Sequence, residues 1–259
     1  MFDVVFISYD EPNADENWER LLEVAPHAIR VDGVKGIPNA HIEAASQVST
    51  SHFFTVDGDN VIDEDFDWEK IVDFRKNDQR IHVWRARNAV NNLVYGYGGI
   101  KLWPTEHVEN IKENSVDFTT SVATHGFKVQ SNIASTTVFN SNPYHAWRGG
   151  YRECLKLASG IIHNPDPRSM NRLKVWTTVG IDAEYGEECL VGARSGALQG
   201  FLGENLNIIN DFEKLHIWYI RDLAQDPEYY SDKLKKYGFE IPTFDVKQSK
   251  LIKEIMGNI

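Results

Sequence analysis

The N-terminal part of the chain, up to Asp59, alternates between short apolar runs and helical patterns. The apolar runs are residues 4–7, 28–31 and 53–56, and helical patterns over 15–22 and 37–48 separate them. Apolar runs of this length predict buried strands. Strands that alternate with helices form parallel sheets, because a crossover helix returns the chain to the same edge. The sequence therefore predicts an α/β fold with a doubly wound, mainly parallel sheet flanked by helices.

The third apolar run ends in Asp57-Gly58-Asp59. Glycine permits a sharp turn, so the two carboxylates can converge just past the carboxyl end of a strand, where open α/β sheets hold their ligands. Neighbouring carboxylates repel each other unless a cation lies between them, and a hard divalent cation prefers oxygen ligands. The segment predicts a cation site that holds a diphosphate. The alternative is a solvated turn or an Asp-Gly hairpin.

Composition narrows the class of protein. The chain has 259 residues, 42% of them hydrophobic, which is enough for a sizeable core. Its net charge of −11 argues against a surface coated in basic residues for nucleic acid. Cys154 and Cys189 lack metal spacing and are too few for a disulfide framework, which favours a cytoplasmic location. No run approaches the ~18 apolar residues of a transmembrane helix, so we expect no membrane span.

The rest of the chain gives coarser patterns. After the aspartates come a helical pattern over 66–76, a strand pattern over 80–85, a glycine-rich aromatic segment over 95–104 that a ligand could approach closely, and strand-like pieces at 118–121 and 133–139. Helices are predicted over 149–159, after a break at Gly149-Gly150, and over 182–201 and 226–238. No linker or repeat separates domains, so we expect a single domain over residues 1–259.

Four segments, taken in order, resemble the GT-A glycosyltransferases, specifically their family 2-like group. The family runs from a strand with a polar ending, through an acidic residue after strand two and a Gly…Asn/Ala helix, to a strand ending in Asp-x-Asp. The matching segments here are Ile7-Ser8-Tyr9, Val31-Asp32, Gly36-Ile37-Pro38-Asn39-Ala40 and Val56-Asp57-Gly58-Asp59. These segments cover about the first 60 residues, residues 95–102 also look like a Gly-Gly stretch of the family, and the resemblance is looser beyond Trp103. His41 departs from the pattern where many members carry Asn.

The resemblance implies a metal-dependent transfer of a sugar from a UDP- or GDP-sugar to an acceptor hydroxyl. In this GT-A-like domain, residues 1–104 would bind the nucleotide-sugar and the C-terminal half, residues 105–259, would build the acceptor side. The acceptor would be a saccharide or a hydroxymethylated DNA base, as in the phage enzymes that glycosylate their genomes. The alternatives are a sugar nucleotidyltransferase, which is disfavoured because residues 8–13 contain no glycine-rich phosphate loop, and a non-catalytic GT-A-like binding module.

Carried over residue by residue, the resemblance implies that the donor contacts Ser8, Tyr9, Asp10, Asp32, Asn39, Asp57 and Asp59. Asp32 would accept a hydrogen bond from the nucleotide's base, and Asp57 would lie near its ribose. Asp59 would ligate Mn²⁺ or Mg²⁺ with Asp57, and His216 is the candidate for a third ligand. Each of three residues also has a structural alternative. Asp32 could cap a turn before Gly33, and Ser8 could be the N-cap of the turn that follows it. His216 could occupy a position in the core.

A sugar transfer with inversion needs a carboxylate that takes the proton of the acceptor hydroxyl. The family supplies it from a Glu-Asp pair at a helix start, and residues 180–186 look like a degraded copy with Ile181 in place of the Glu. Asp182 is therefore the first candidate for the base, and Glu153, at another predicted helix start, is the second. Instead of acting as the base, Asp182 could be a helix N-cap, and Glu153 could form an ion pair at the surface.

Two segments are predicted to hold the acceptor. By resemblance, the glycine-rich segment supplies Tyr97, Gly98 and Gly99. Residues 144–175 carry six basic side chains against two acidic ones, with aromatic residues between them. Basic residues beside aromatics suit a phosphate-bearing acceptor or an extruded base. From this segment we select Trp147, Arg148 and Arg152. The alternative is a solvated helix face whose basic residues balance acidic neighbours, with aromatic residues that stack on sugar rings or fill the core.

Overall fold

The computed structural model describes residues 1–75, 77–109, 119, 122–160, 167–225 and 227–257. The chain divides into two compact units, the first comprising residues 1–88 and 94–138 and the second residues 89–93 and 139–259. The predicted boundary at residue 104 thus lies within the first unit, and the single domain stays a prediction. In the described parts of the chain, no helix is both long enough and apolar enough to cross a membrane.

The first unit is built on a sheet of seven described strands in the spatial order β2-β1-β3-β6-β5-β7-β4. The strands are β1 (Asp3–Ser8), β2 (Ile29–Asp32), β3 (His52–Asp57), β4 (Asn60–Ile62), β5 (Ile81–Asn88), β6 (Val94–Pro104) and β7 (Phe127–Thr137). Helices α1 (Ala14–Val24), α2 (Ile37–Ser46) and α3 (Thr105–Glu109) accompany them. This α/β architecture is compatible with a Rossmann-like fold.

The sheet is mixed, which corrects the prediction of a mainly parallel one. β1 pairs in parallel with β2 and β3, as the alternation up to Asp59 predicted, and β5 pairs in parallel with β7. β6 runs antiparallel to both β3 and β5, and β4 runs antiparallel to β7. The glycine-rich segment is therefore a strand inside the sheet. Its pattern from residue 100 onwards places Ile100 and Leu102 in the core.

Helices α1 and α2 cover opposite faces of the sheet. Phe6 of β1 packs in one core with Leu21 of α1, whereas the neighbouring Val5 packs in another with Ala44 of α2. Alternate side chains of a strand point to opposite faces, so β1 contributes to both cores. The chain leaves β1 for β2 on one side and returns to β3 on the other. A crevice forms at the carboxyl ends of strands where connections diverge in this way.

The predicted helix over 66–76 is wrong, because residues 66–75 form turns and irregular structure. Phe66 and Trp68 are both buried, and each ring packs against the core at Trp84 or Phe54. Residues two positions apart do not face the same side of a helix, so a helix would not bury both rings in one core. Lys76 lies outside the described residues, as does the predicted strand at 118–121 apart from residue 119.

The second unit is helical in its described parts. Its helices are α4 (Pro143–Ser159), α5 (Pro167–Thr178), α6 (Gly186–Leu202), α7 (Phe212–Leu223), α8 (Pro227–Lys235) and α9 (Val246–Gly257), with a 3₁₀ turn at Leu206–Asn210. Helix α4 begins at Pro143, where the Asn142 side chain accepts a hydrogen bond from the backbone N–H of His145. The predicted start at residue 149 is therefore too late, whereas the predicted start at residue 182 is too early, because α6 begins at Gly186.

Gly150 of α4 marks a close helix contact and not a break. On α6, Gly192 and Gly196 lie one turn apart, and a Cβ at these positions would lie 2.1 Å and 2.2 Å from the carbonyl oxygens of Trp147 and Tyr151. On α4, a Cβ at Gly150 would lie 2.3 Å from a carbonyl oxygen of α6. Only glycine permits an approach this close. The two backbones therefore touch directly.

We expect Gly196→Ala to lower the free energy of unfolding by about 1–3 kcal/mol, the usual cost of overpacking a core. Helix propensity alone would favour alanine by about 1 kcal/mol, so a loss identifies the helix contact as its cause. The measurement is urea unfolding followed by circular dichroism. Gln199→Ala, which lies on a half-buried part of the same helix, should change stability much less. A stabilised Gly196→Ala variant would contradict the contact.

Candidate functional site

Ser8 and Asp32 meet at the carboxyl ends of β1 and β2, where the strand register pairs them. Ser8 Oγ donates to Asp32 Oδ1 at 2.5 Å, and the Arg30 guanidinium lies 3.3 Å from Ser8 Oγ and 3.4 Å from Asp32 Oδ1. Ser8 is buried, and the Asp32 side chain is half exposed. Gly33 follows in a left-handed turn with a φ of 71°. Asp32 therefore precedes a turn, and its carboxylate is also oriented by Ser8 and Arg30.

Asp57 ends β3 and is paired with a lysine of β6. Lys101 Nζ donates to Asp57 Oδ2 at 3.0 Å. The register pairs Lys101 with Thr55, which lies two residues before Asp57 and so points to the same face of the sheet. The Lys101 side chain is 8% exposed, whereas that of Asp57 is 40% exposed. The ion pair therefore joins a buried ammonium group to a carboxylate that solvent can reach.

Asp59 lies beyond Gly58, in the turn between β3 and β4. Its Oδ1 accepts a hydrogen bond from Asn60 Nδ2 at 2.7 Å. Burial, together with the negative charges of Asp57 and Glu11, raises the pKa of Asp59 to about 7, although Asn60 and Lys101 act in the opposite direction. The acids at this edge are therefore not fully neutralised by Lys101.

Glu11 is a member of this acidic group that sequence reasoning missed. It lies in the turn after β1, where its Oε2 accepts from the backbone N–H of Tyr9 at 2.8 Å. A Cβ at Gly58 would lie 3.0 Å from that same Oε2 and 3.0 Å from Ser8 Cβ. Gly58 thus allows the turns after β1 and β3 to come together. Glu11 sits in a polar segment between strand and helix, and its sequence neighbours carry no signal that separates it from an ordinary turn residue.

Asn60 fixes the orientation of Asp59. Its Oδ1 accepts from Ser135 Oγ and from Thr137 Oγ1, each at 3.0 Å, so its amide nitrogen is directed to Asp59. Gly99, which was predicted to contact an acceptor, packs against this amide, and a Cβ there would lie 2.0 Å from Asn60 Cγ. The close approach at Gly99 is therefore made by a side chain of the same unit. Its acceptor role stays a prediction.

His41, whose pKa responds to the charges of Asp57 and Lys101, does not add positive charge to the site. The imidazole is buried in α2, where Nδ1 donates to the Ile37 carbonyl at 2.8 Å and the ring contacts Trp103 edge-to-face at 5.2 Å. Burial lowers the pKa of His41 to about 4, so the side chain is neutral at pH 7.

The remaining residues predicted to bind the donor lie at the surface. Tyr9 and Asp10 follow Ser8 and are exposed. Asn39 is exposed on α2, where its Nδ2 donates to the Lys35 carbonyl at 3.1 Å. The structure thus brings together Ser8, Asp32, Asp57 and Asp59 at one sheet edge, whereas Asn39 makes its hydrogen bond close to its own helix. Tyr97 and Gly98 lie in β6, but the burial and contacts of these two residues are outside what the structure describes.

In the second unit, Asp182 is tied to α9. Its Oδ1 accepts from Ser249 Oγ at 2.5 Å, its Oδ2 accepts from Lys253 Nζ at 2.9 Å, and its side chain is 8% exposed. Burial acts to raise the pKa of Asp182, but the hydrogen bonds from Ser249 and Lys253 outweigh it, and the pKa is lowered. Asp182 precedes the first residue of α6, Gly186, by a whole turn and is not its N-cap. Its role as the base stays a prediction.

Glu153 lies in the interior of α4, not at a helix start as predicted. Its carboxylate pairs with Lys156 one turn further along, at 2.9 Å. Burial acts to raise the pKa of Glu153, but Lys156, Arg172 and Arg152 together lower it. Both candidates for the base are therefore held in ionised form by lysines.

The predicted acceptor residues of α4 are mostly covered. Trp147 is fully buried, and its Nε1 donates to Asp222 Oδ2 at 3.1 Å, so its ring presents no surface to an acceptor. Arg148 is also buried, and its guanidinium lies over the rings of Tyr144 and Phe212, at 5.6 Å and 5.0 Å from their centres. This placement favours the alternative in which the aromatic residues fill the core. Arg152 is partly exposed.

His216 is exposed on α7, which rules out the core position considered for it, and its ring contacts Tyr144 edge-to-face at 5.2 Å. In the part of the chain that the structure describes, no three or more His, Cys, Asp or Glu side chains are arranged to hold a metal ion. The ligand set of Asp57, Asp59 and His216 is therefore not found as a cluster.

Comparisons with protein-family models, with curated proteins and with solved structures found no match for this chain. The resemblance to GT-A glycosyltransferases therefore stays a prediction drawn from the residues.

The raised pKa of Asp59 gives the first prediction for the site. The pKa is about 7 in the folded protein against an ordinary value of 3.8, so between these values the folded state binds more protons than the unfolded one. The free energy of unfolding then falls as pH rises through this range. Asp59→Asn cannot ionise, and we expect it to stabilise the protein relative to wild type increasingly from pH 5 to pH 8.

The measurement is urea unfolding at each pH in the presence of EDTA, which removes divalent cations. The exposed Asp65→Asn is the control and should show no such trend. A stability difference between Asp59→Asn and wild type that does not vary with pH would contradict the electrostatic description of the site.

The contacts of Asp182 give a second prediction. Asp182→Asn should lower the free energy of unfolding by about 1–3 kcal/mol, because it removes a charged hydrogen-bond partner from the half-buried Lys253. The folded-state pKa is lowered, so this contribution is present above the pKa of the unfolded state and is lost as pH falls. Lys253→Met should cost a similar amount. If the two losses simply add in the double variant, the two side chains are not coupled.

Proposed function

We propose that this protein is a glycosyltransferase that binds a nucleotide-sugar and a divalent cation at the carboxyl edge of the first unit's sheet. The observation that carries the proposal is the convergence of Asp57, Asp59 and Glu11 where the connections from β1 diverge. Ligands of open α/β sheets bind at such a point. A GT-A-like arrangement of this unit is part of the proposal, and the parallel order β2-β1-β3 with helices on both faces supports it.

In this proposal, Asp57 and Asp59 would hold a hard divalent cation such as Mn²⁺ or Mg²⁺. Among the described residues, Lys101 contacts Oδ2 of Asp57 and Asn60 contacts Oδ1 of Asp59. The second oxygen of each carboxylate would bind the cation. Magnesium is commonly held by one or two carboxylates, with substrate phosphates and water completing its ligands. When bound, the cation would offset the negative charge that grows on the departing diphosphate.

The edge formed by β1 and β2 would bind the nucleoside. Asp32 presents a half-exposed carboxylate, and its orientation is fixed by Ser8 and Arg30. A carboxylate oriented in this way can accept hydrogen bonds from a base or a ribose hydroxyl without first losing conformational freedom. Tyr9, exposed at the end of β1, offers an aromatic surface beside it.

The acceptor side of the proposal rests on the second unit. A saccharide or a hydroxymethylated DNA base is the proposed acceptor, with Asp182 or Glu153 as the base. For the acceptor surface, the partial exposure of Arg152 favours it over the buried Trp147 and Arg148.

A non-catalytic binding module is the second candidate function. It is favoured by one observation, namely that both oxygens of Asp182 already accept hydrogen bonds from Ser249 and Lys253. A general base needs an oxygen that the acceptor hydroxyl can reach. If no other carboxylate takes this role, the first unit would bind a nucleotide-sugar without transferring the sugar.

The test is calorimetric titration of the protein with UDP and with GDP, each with Mn²⁺ and with EDTA. We expect binding of a nucleoside diphosphate in Mn²⁺ and at least about tenfold weaker binding after Asp59→Ala, because a ligand to the cation is lost. Asp65→Ala is the matched control and should bind as wild type does. Absence of binding to either diphosphate would overturn the proposal, and a preference for UTP or GTP would favour a nucleotidyltransferase.

Hydrolysis of UDP- and GDP-sugars then separates the two candidate functions. A transferase is expected to release some sugar to water when no acceptor is present, whereas a binding module would leave the nucleotide-sugar intact. Release that is lost in Asp59→Ala and kept in Asp65→Ala would assign the activity to the proposed site.

A further inference from the structure

We propose that Lys101 is a positioning residue that competes with the divalent cation for Asp57, so that the site holds the cation firmly only when a diphosphate is also bound. This inference rests on the proposed function and concerns what holds Asp57 before any ligand arrives.

The position of Lys101 is fixed by the sheet. The residue lies in β6 between Ile100 and Leu102, both fully buried, and β6 pairs with β3 along this stretch. Its ammonium therefore reaches Asp57 Oδ2 from within the fold, at 3.0 Å. The Asp57 side chain remains 40% exposed. A ligand arriving from solvent would thus meet a carboxylate whose Oδ2 is already paired with Lys101.

Charge at the site explains the competition. A divalent cation bound to Asp57 and Asp59 would lie within a few ångströms of the Lys101 ammonium, and the two positive charges repel each other at this distance. Neutral His41 neither adds to this repulsion nor relieves it. The acids attract the cation, but Lys101 already offsets part of their charge.

A diphosphate changes this balance. It brings negative charge and further oxygen ligands to the cation, so the cation no longer depends on Asp57 and Asp59 alone. Cation and diphosphate then increase each other's affinity, and this coupling is reciprocal by thermodynamic necessity. With Lys101 present, the coupling is large because the cation binds poorly alone. Without Lys101, the acids would bind the cation whether or not a diphosphate is present.

The experiment measures Mn²⁺ affinity directly, without nucleotide, from the electron paramagnetic resonance signal of free Mn²⁺. Wild type is compared with Lys101→Met, which keeps an unbranched side chain without the charge, and with Lys101→Arg, which keeps the charge. We expect Lys101→Met to bind Mn²⁺ about ten- to hundredfold more tightly than wild type, and Lys101→Arg to remain close to wild type. Asp57→Asn added to Lys101→Met should reverse the gain.

The increase in affinity separates this role from a structural one, because a lysine that only stabilised the fold would weaken or not change Mn²⁺ binding when removed. Unchanged or weaker binding by Lys101→Met would overturn the inference. Should this variant fail to fold, Lys101→Gln takes its place. The wild-type protein gives an independent test as well. If UDP and GDP both leave its Mn²⁺ affinity unchanged while binding to it, the inference is overturned.

Failure of the inference and failure of the proposed function have different signatures. If wild type binds a nucleoside diphosphate in Mn²⁺ but Lys101→Met gains no Mn²⁺ affinity, the inference fails and the proposed function stands. If no variant binds a diphosphate while Lys101→Met gains Mn²⁺ affinity, the proposed function fails and the competition for Asp57 stands.

Discussion

The candidate site depends on the parallel pairing of β1 with both β2 and β3. Parallel strands end at the same edge, so Ser8, Asp32 and Asp57 reach one side of the sheet although a helix separates each from the next in the sequence. The α1 and α2 crossovers pack on opposite faces of the sheet, and open α/β sheets bind their ligands at the edge between such crossovers. Gly58 then lets the turn after β3 approach Glu11, which completes the acidic group.

The pairing of β1 with β2 and β3 also determines the balance of charge at the site. Three carboxylates near one lysine leave a deficit of positive charge, and burial together with this deficit raises the pKa of Asp59. The deficit is a property of the ligand-free protein, and a cation is one way to remove it. Asp182 and Glu153 show the opposite balance in the second unit, since each carboxylate has its own lysine and a lowered pKa.

Local patterns could be predicted from the sequence, and contacts between distant residues could not. Apolar runs and an Asp-Gly-Asp turn are local signals, so β1, β2, β3 and the positions of Asp57 and Asp59 are as expected. Lys101 was missed because it comes from an antiparallel strand 44 residues away, and the partner of Asp182 lies 71 residues away. The aromatic and basic pattern around Trp147 did not reveal which face of α4 is buried, because that depends on the close contact with α6 and on the hydrogen bond from Trp147 to Asp222 of α7.

The glycine contact between α4 and α6 has a mechanical consequence. Gly192 and Gly196 on one helix and the Trp147 and Tyr151 carbonyls on the other recur with the same one-turn spacing. Sliding one helix along the other by a single residue would drive a side chain into a carbonyl, and the next matching register is a whole turn away. Gradual slippage is thereby prevented, and the two helices are expected to move as one rigid pair within their unit.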